Sequence, residues 1–150
     1  MRLHERCAKE GSFLGELNQP QAMLILARKD LRAAITLAAE DDADTEIVGF
    51  HVQQAVEKAL KAWLEFCEID YSKTHDLTML LTQLADHGVD VEPLRSIEEL
   101  SPFAVQYRYE LYEEEPMNWE EAHQQAKIVI EHVEGLLRTE RERKEPQQGI

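Results

Sequence analysis

An all-α fold, an up-and-down bundle of four to five helices, follows from three features of the sequence. Apolar residues recur at three- and four-residue spacing over long segments. No segment shows the apolar–polar alternation of a half-buried strand. Glycine and proline are scarce, and Gly11, Gly15, Gly88 and Gly149 with the 5 prolines mark the breaks between periodic segments. Those breaks are short, so successive helices are expected to pack antiparallel.

Residues 1–18 read as a weakly ordered arm, residues 19–141 as the helical bundle, and residues 142–150 as a disordered, charge-rich tail. A first helix is expected from Pro20 to Glu40, proline being suited to a first turn. Its stripe is Leu24, Ala27, Leu31, Ala34, Ile35 and Ala38, and the acidic run after it ends the helix. Asp44 or Thr45 is placed to cap a second helix from Glu46 to Ile69. There Val48, Val52, Ala55, Val56, Ala59, Trp63 and Phe66 form the clearest apolar stripe in the chain. Ala55, Ala59 and Ala62 are small enough for another backbone to approach closely. A third helix follows, with Thr74 as candidate N-cap, Leu77, Leu80, Leu81 and Leu84 as its face, and Gly88 as its stop. A fourth runs from Pro93 to Tyr112, bent or interrupted at Ser101–Pro102–Phe103, because Pro102 lacks an amide hydrogen. The fifth, Asn118 to Arg141, opens with an Asn N-cap and a Glu at its third position. Trp119, Ala122, Ala126, Val129, Ile130, Val133, Leu136 and Leu137 supply its apolar stripe.

The chain has 150 residues and a formal charge of −14. A phosphate backbone needs a basic patch, so unaided binding to DNA is not expected. Ten acids against Arg95 and Arg108 give a local net of −8 between Asp90 and Glu121. No continuous apolar run approaches the ~18 residues of a membrane span. Cys7 and Cys67 are far apart and show no CxxC spacing, the pattern of reduced thiols in a cytoplasmic protein. Cys67 lies at the edge of an apolar helical face and reads as core.

The chain holds no Gly-rich phosphate loop, GxSxG or HExxH motif. Glu120-x-x-His123 matches one half of the di-iron pattern of helical bundles, but no second copy exists, so no metal and no cofactor is expected. His51 reads as a packing or capping residue that a partner group would have to orient before it served as a base. His75 reads as bonding locally within its turn. Beside the apolar face of the second helix, His51, Gln54, Lys58, Lys61 and Glu65 make a polar stripe, either a solvated face or part of a site.

The stretch Phe50–Leu81 resembles the signature of the HEPN family (higher eukaryotes and prokaryotes nucleotide-binding). Phe50, His51, Gln53, Gln54, Ala55, Glu57, Lys58, Leu60, Lys61 and Ala62 match FHxQQAxEKxLKA, and Lys73, Thr74, His75, Asp76 and Leu77 match KTHDL. FAVQYRYE, around Arg108 and Tyr109, resembles the stretch where members carry an Arg-Tyr pair. The resemblance covers Pro20 to Leu137. It implies a helical bundle, commonly a homodimer, encoded in prokaryotes beside a small nucleotidyltransferase in a toxin–antitoxin-like pair. In the ribonuclease branch an Arg-x(4–6)-His motif cleaves RNA: histidine moves the 2′-hydroxyl proton and arginine stabilises the phosphorane. Here the positions where that histidine falls after Arg108 are Glu113, Glu114 and Glu115.

Arg108 is therefore the catalytic candidate only in a degenerate, metal-independent ribonuclease, with RNA as substrate. The leading expectation is a dimeric interaction or nucleotide-binding module, not catalytic on its own. Two accounts of the polar stripe remain open. In one, Arg108 pairs with Glu57, Glu65 or its own neighbouring acids in a structural network. Alternatively His51, Gln54, Lys58, Lys61, Arg108 and Tyr109 form a pocket for a phosphate or nucleotide. By the same resemblance, a partner enzyme would nucleotidylate Tyr107, Tyr109 or Tyr112.

Overall fold

The structure, a computed structural model, describes residues 18–113 and 117–145. The expected arm, except Asn18, and the last five residues lie outside that range, as do Glu114 and Glu115. Among the described residues four α-helices are present: α1 (Gln19–Ala38), α2 (Thr45–Phe66), α3 (Leu77–Asp86) and α4 (Trp119–Lys144). Between α3 and α4 run a long 3-10 helix, Glu92–Ala104, and a short one, Gln106–Arg108. Every described residue in regular structure is helical, as the apolar periodicity predicts.

The central element is α2, which packs against all the others. Its stripe carries Val48, Val52, Ala55, Val56, Ala59, Leu60, Ala62 and Leu64, all fully buried, with Trp63 nearly so. The most extensive pairing is between α1 and α2. Alanines explain it: Ala27 and Ala34 on α1 and Ala55, Ala59 and Ala62 on α2 are all at 0% exposure, so the two backbones close on each other without large side chains between. Leu77, Leu80, Leu81 and Leu84 bury the whole apolar face of α3, and Ala126, Val129, Ile130 and Val133 bury that of α4. Ile35 departs from the expected α1 stripe and stands 48% exposed.

Several boundaries differ from the sequence reading, each for a local reason. Asn18 and Gln21 make a reciprocal capping box that starts α1 one residue earlier than Pro20. Asp76, not Thr74, caps α3, its side chain accepting from the Thr78 amide; Thr74 instead accepts from the Asp76 amide. The end of α2 falls at Phe66 because Glu68 turns left-handed at φ 57°, and the Ile69 and Glu68 amides bond back to the Leu64 and Glu65 carbonyls. Gly88 does the same for α3 at φ 89°. At the other end, α4 continues to Lys144, into the stretch expected to be tail. Glu140 pairs there with Arg143 and Lys144, and Arg141 with Glu145, at helical spacing. Cys67, expected in the core, is the exposed C-cap of α2.

The fourth expected helix is replaced by the 3-10 run. Leu94, Ile97, Leu100 and Phe103 recur at every third residue and are all buried. Three residues per turn brings that spacing onto one face. In an α-helix the nine residues from Leu94 to Phe103 make about 2.5 turns, which would point the two side chains in opposite directions. Pro93 and Pro102 sit within this run.

Phe103 ends that face against Gly49 of α2. A Cβ on Gly49 would lie 2.3 Å from the Phe103 ring, so only glycine lets the ring lie on the backbone. Gly49→Ala is expected to destabilise the protein by about 1–3 kcal/mol, outweighing the ~1 kcal/mol by which alanine favours a helix. Urea unfolding measures this, and a variant as stable as the parent contradicts the packing.

Candidate functional site

Gln53 and Glu57 are the two buried polar residues on α2, at 0% and 5% exposure. They are one turn apart, so both point to the same side of the helix. Gln53 Nε2 donates to Glu57 Oε1 at 2.9 Å and to the His75 carbonyl at 3.1 Å. Gln54 Nε2 donates to Gln53 Oε1 at 2.8 Å. The Glu57 carboxylate also meets His75 Nδ1 at 2.9 Å and accepts from Lys61 Nζ at 3.1 Å. His75 thus bonds across to α2, rather than within its own turn, and ties the loop before α3 to the central helix.

Burial raises the proton affinity of Glu57, but hydrogen bonds from Gln53, His75 and Lys61 together outweigh it, and the carboxyl titrates below its ordinary value.

On the other side of Gln54 lies a second cluster. Asp30 of α1 bonds Lys58 Nζ through one carboxylate oxygen, and its other oxygen is 3.4 Å from His51 Nδ1. Lys58 Nζ also lies 3.4 Å from Gln54 Oε1. His51, Gln54, Lys58 and Lys61 are therefore brought into one polar network, but each cation in it already faces a carboxylate. Asp30 was missed in the sequence because a charge among α1's flanking arginines and lysine looks like any solvated residue.

Arg108 is outside this network. Its guanidinium lies 5.4 Å from the Phe50 ring centre and 6.0 Å from that of Tyr109. Among the described residues it has no ion pair, so the alternatives of a bond to Glu57 or to Glu65 are not realised. Glu57 is occupied by Lys61 and His75, and Glu65 accepts from the Tyr71 hydroxyl at 3.3 Å. The segment is held against α2 by Phe103 on Gly49 and by the Tyr112 amide, which donates to Glu46 at 2.6 Å. Tyr107 and Tyr112 pack on Phe103 at 5.0 and 5.5 Å. Tyr109, by contrast, is 82% exposed. Tyr109 is therefore far more accessible than Tyr107 and Tyr112, which are both half-buried. Glu113 is exposed, and Glu114 and Glu115 lie outside the described residues.

His123 of the half-motif stacks with Trp119 at 6.4 Å, and its Nε2 is buried without a hydrogen-bond partner. Burial lowers its proton affinity. Among the described residues no cluster of histidine, cysteine, aspartate or glutamate could hold a metal ion. Cys67 is exposed as a residue, but partial desolvation of its thiol still pushes it up, which disfavours the thiolate needed for nucleophilic attack. Among the described residues, no helix is long and apolar enough to cross a membrane.

Because Glu57 holds its proton less tightly when folded, its contribution to stability is complete above the ordinary carboxyl value of 4.5 and is lost as pH falls through the folded value. Glu57→Gln is expected to cost about 2 kcal/mol at neutral pH and to flatten the acid limb of stability. Urea unfolding across the acid range measures it; parallel curves for variant and parent contradict it. His123 acts on a higher window. Its folded value is depressed, so stability declines as pH falls through the ordinary histidine value of about 6.5, and His123→Phe is expected to remove that decline in the same measurement.

No curated protein and no solved structure matches the chain. A family model, the HEPN domain, matches residues 21–142, from the first turn of α1 to near the end of α4. With most of its length inside that match, and with the all-helical bundle to go with it, the chain belongs to the HEPN domain family.

Proposed function

We propose that the chain is a protein-docking module that works as a homodimer and pairs with a nucleotidyltransferase in a toxin–antitoxin-like unit, with the Arg108–Tyr109 segment as its docking face. The observation that carries this reading is the setting of Arg108: it has no carboxylate partner among the described residues and lies on Phe50 amid exposed apolar side chains. Val105 is 56% exposed, Tyr109 82% and Leu111 79%, and Ile47, beside the Glu46 anchor, is 50%. Arginine and tyrosine with aliphatic neighbours are the residue types that dominate interface energetics. The acidic stretch from Asp90 to Glu121 favours a partner face carrying basic residues. The nucleotidyltransferase and the dimer rest on the family's usual arrangement.

The nucleotide reading is less well supported by the same geometry. Lys58 and Lys61 face Asp30 and Glu57, so a phosphate would have to displace a carboxylate already in place. Ribonuclease action around Arg108 fits less well again, because His51 is held by Asp30 and a glutamate stands at the first position for the motif histidine.

Expressed with a nucleotidyltransferase encoded beside it, the chain is expected to co-purify with that enzyme as a dimer. Arg108→Ala and Tyr109→Ala should each weaken the complex by about tenfold or more, the 1–2 kcal/mol of an interface anchor, with thermal unfolding unchanged. A chain that elutes as a monomer and retains no nucleotidyltransferase contradicts the proposal, as does RNA cleavage by the purified protein that Arg108→Ala abolishes.

A further inference from the structure

About 20 Å along α2 from Phe50, the bundle holds a second feature that the docking reading does not use. A cavity of about 310 Å³ opens between the end of α2, the middle of α4 and the turn that leads into the 3-10 run. Its floor is made of Trp63, Leu94 and Val129, at 6%, 7% and 0% exposure. Ile128, His132 and Asp90 stand at its mouth, and Ile128 is 43% exposed. The His132 ring lies 4.7 Å from that of Trp63 and tilts at 54°, which makes one wall aromatic. Val89, Asp90, Pro93 and Leu94, where the chain leaves α3 and enters the 3-10 run, form one side of it.

The lining selects a chemical class. Its walls are apolar and aromatic and bury a flat ring well. Among the described residues that line it, Asp90 is the one carboxylate-bearing residue. One Asp90 oxygen accepts the Glu92 amide at 3.2 Å, which fixes the side chain and leaves the second oxygen for a donor. Trp63 and Asp90 line the same cavity, and an aromatic ring together with a carboxylate attracts an organic ammonium. The net charge of −14 repels an anion at long range and attracts a cation.

We infer that this cavity is a binding site for a small aromatic amine, its ring on Trp63 and its ammonium at Asp90. The size admits a bicyclic ring with a short tail. Because it lies on other residues, the site stands or falls independently of the docking face around Arg108.

Tryptamine, 3-ethylindole and indole-3-propionate, which share a ring and differ in charge, serve as probes with isotope-labelled full-length protein. Nuclear magnetic resonance titration is expected to shift the Trp63 indole N–H and the Ile128 and Val129 methyl signals with tryptamine. The acid is expected to bind at least about tenfold more weakly, with the neutral compound between. Asp90→Asn, a rim change that leaves the core intact, should bring the three affinities together. Ile128→Trp should fill the mouth and abolish the shifts, with an unchanged spectrum elsewhere. Absence of shifts at about 10 mM tryptamine, a level far above a millimolar dissociation constant, overturns the assignment. So does equal affinity for the three probes in the parent protein, or shifts confined to another surface.

Discussion

A carboxylate buried on the central helix is the constraint around which the rest of this protein is arranged. Glu57 stands on α2 at a position that is otherwise core, and a buried charge left uncompensated costs several kcal/mol. Gln53, His75 and Lys61 provide the compensation, and the first two each do a second job. Gln53 links the network to Gln54, and His75 fixes the loop that delivers α3. The polar stripe of α2 is thus neither a purely solvated face nor an open pocket. It joins three parts of the bundle: α1 through Asp30, the loop before α3 through His75, and α2 itself.

That saturation has a functional consequence. Basic side chains recognise phosphate when their charge is available; Lys58 and Lys61 have theirs engaged by Asp30 and Glu57. Arg108 differs because its segment is fixed by apolar packing. Phe103 lies on Gly49, and the Tyr112 amide bonds to Glu46, so the chain between them is presented on the surface and not folded into the network. Arg108 and Tyr109 are exposed on a segment anchored at both ends, so docking there orders little backbone.

Much of this fold was legible in the sequence because burial follows period. The leucines of α3 and the alanines of α2 lie where their spacing put them. The 3-10 run was not, although its signal was present: Leu94, Ile97, Leu100 and Phe103 keep a strict spacing of three. Over short stretches that spacing is also found on an α-helix, and only across nine residues do the two periods diverge by half a turn. The site was half legible. Helical spacing places His51, Gln54, Lys58 and Lys61 on one stripe of α2, but it could not show that Asp30 bonds to two of them. That depends on the register of α1 against α2, set by alanine packing between residues far apart in the chain. Gly49 gave a visible sign, a glycine inside a strong helix, whose meaning needed Phe103 to be placed against it.

The central claim is that the α2 network is saturated, its lysines engaged by carboxylates within the fold. A titration of the isotope-labelled protein with ATP, read at the Lys58, Lys61 and His51 side chains, tests this most directly. The account predicts no saturable change at these three positions up to about millimolar ATP. A saturable shift at Lys58 and Lys61 in that range, lost on Lys58→Gln, contradicts it and returns the polar stripe to service as a nucleotide site.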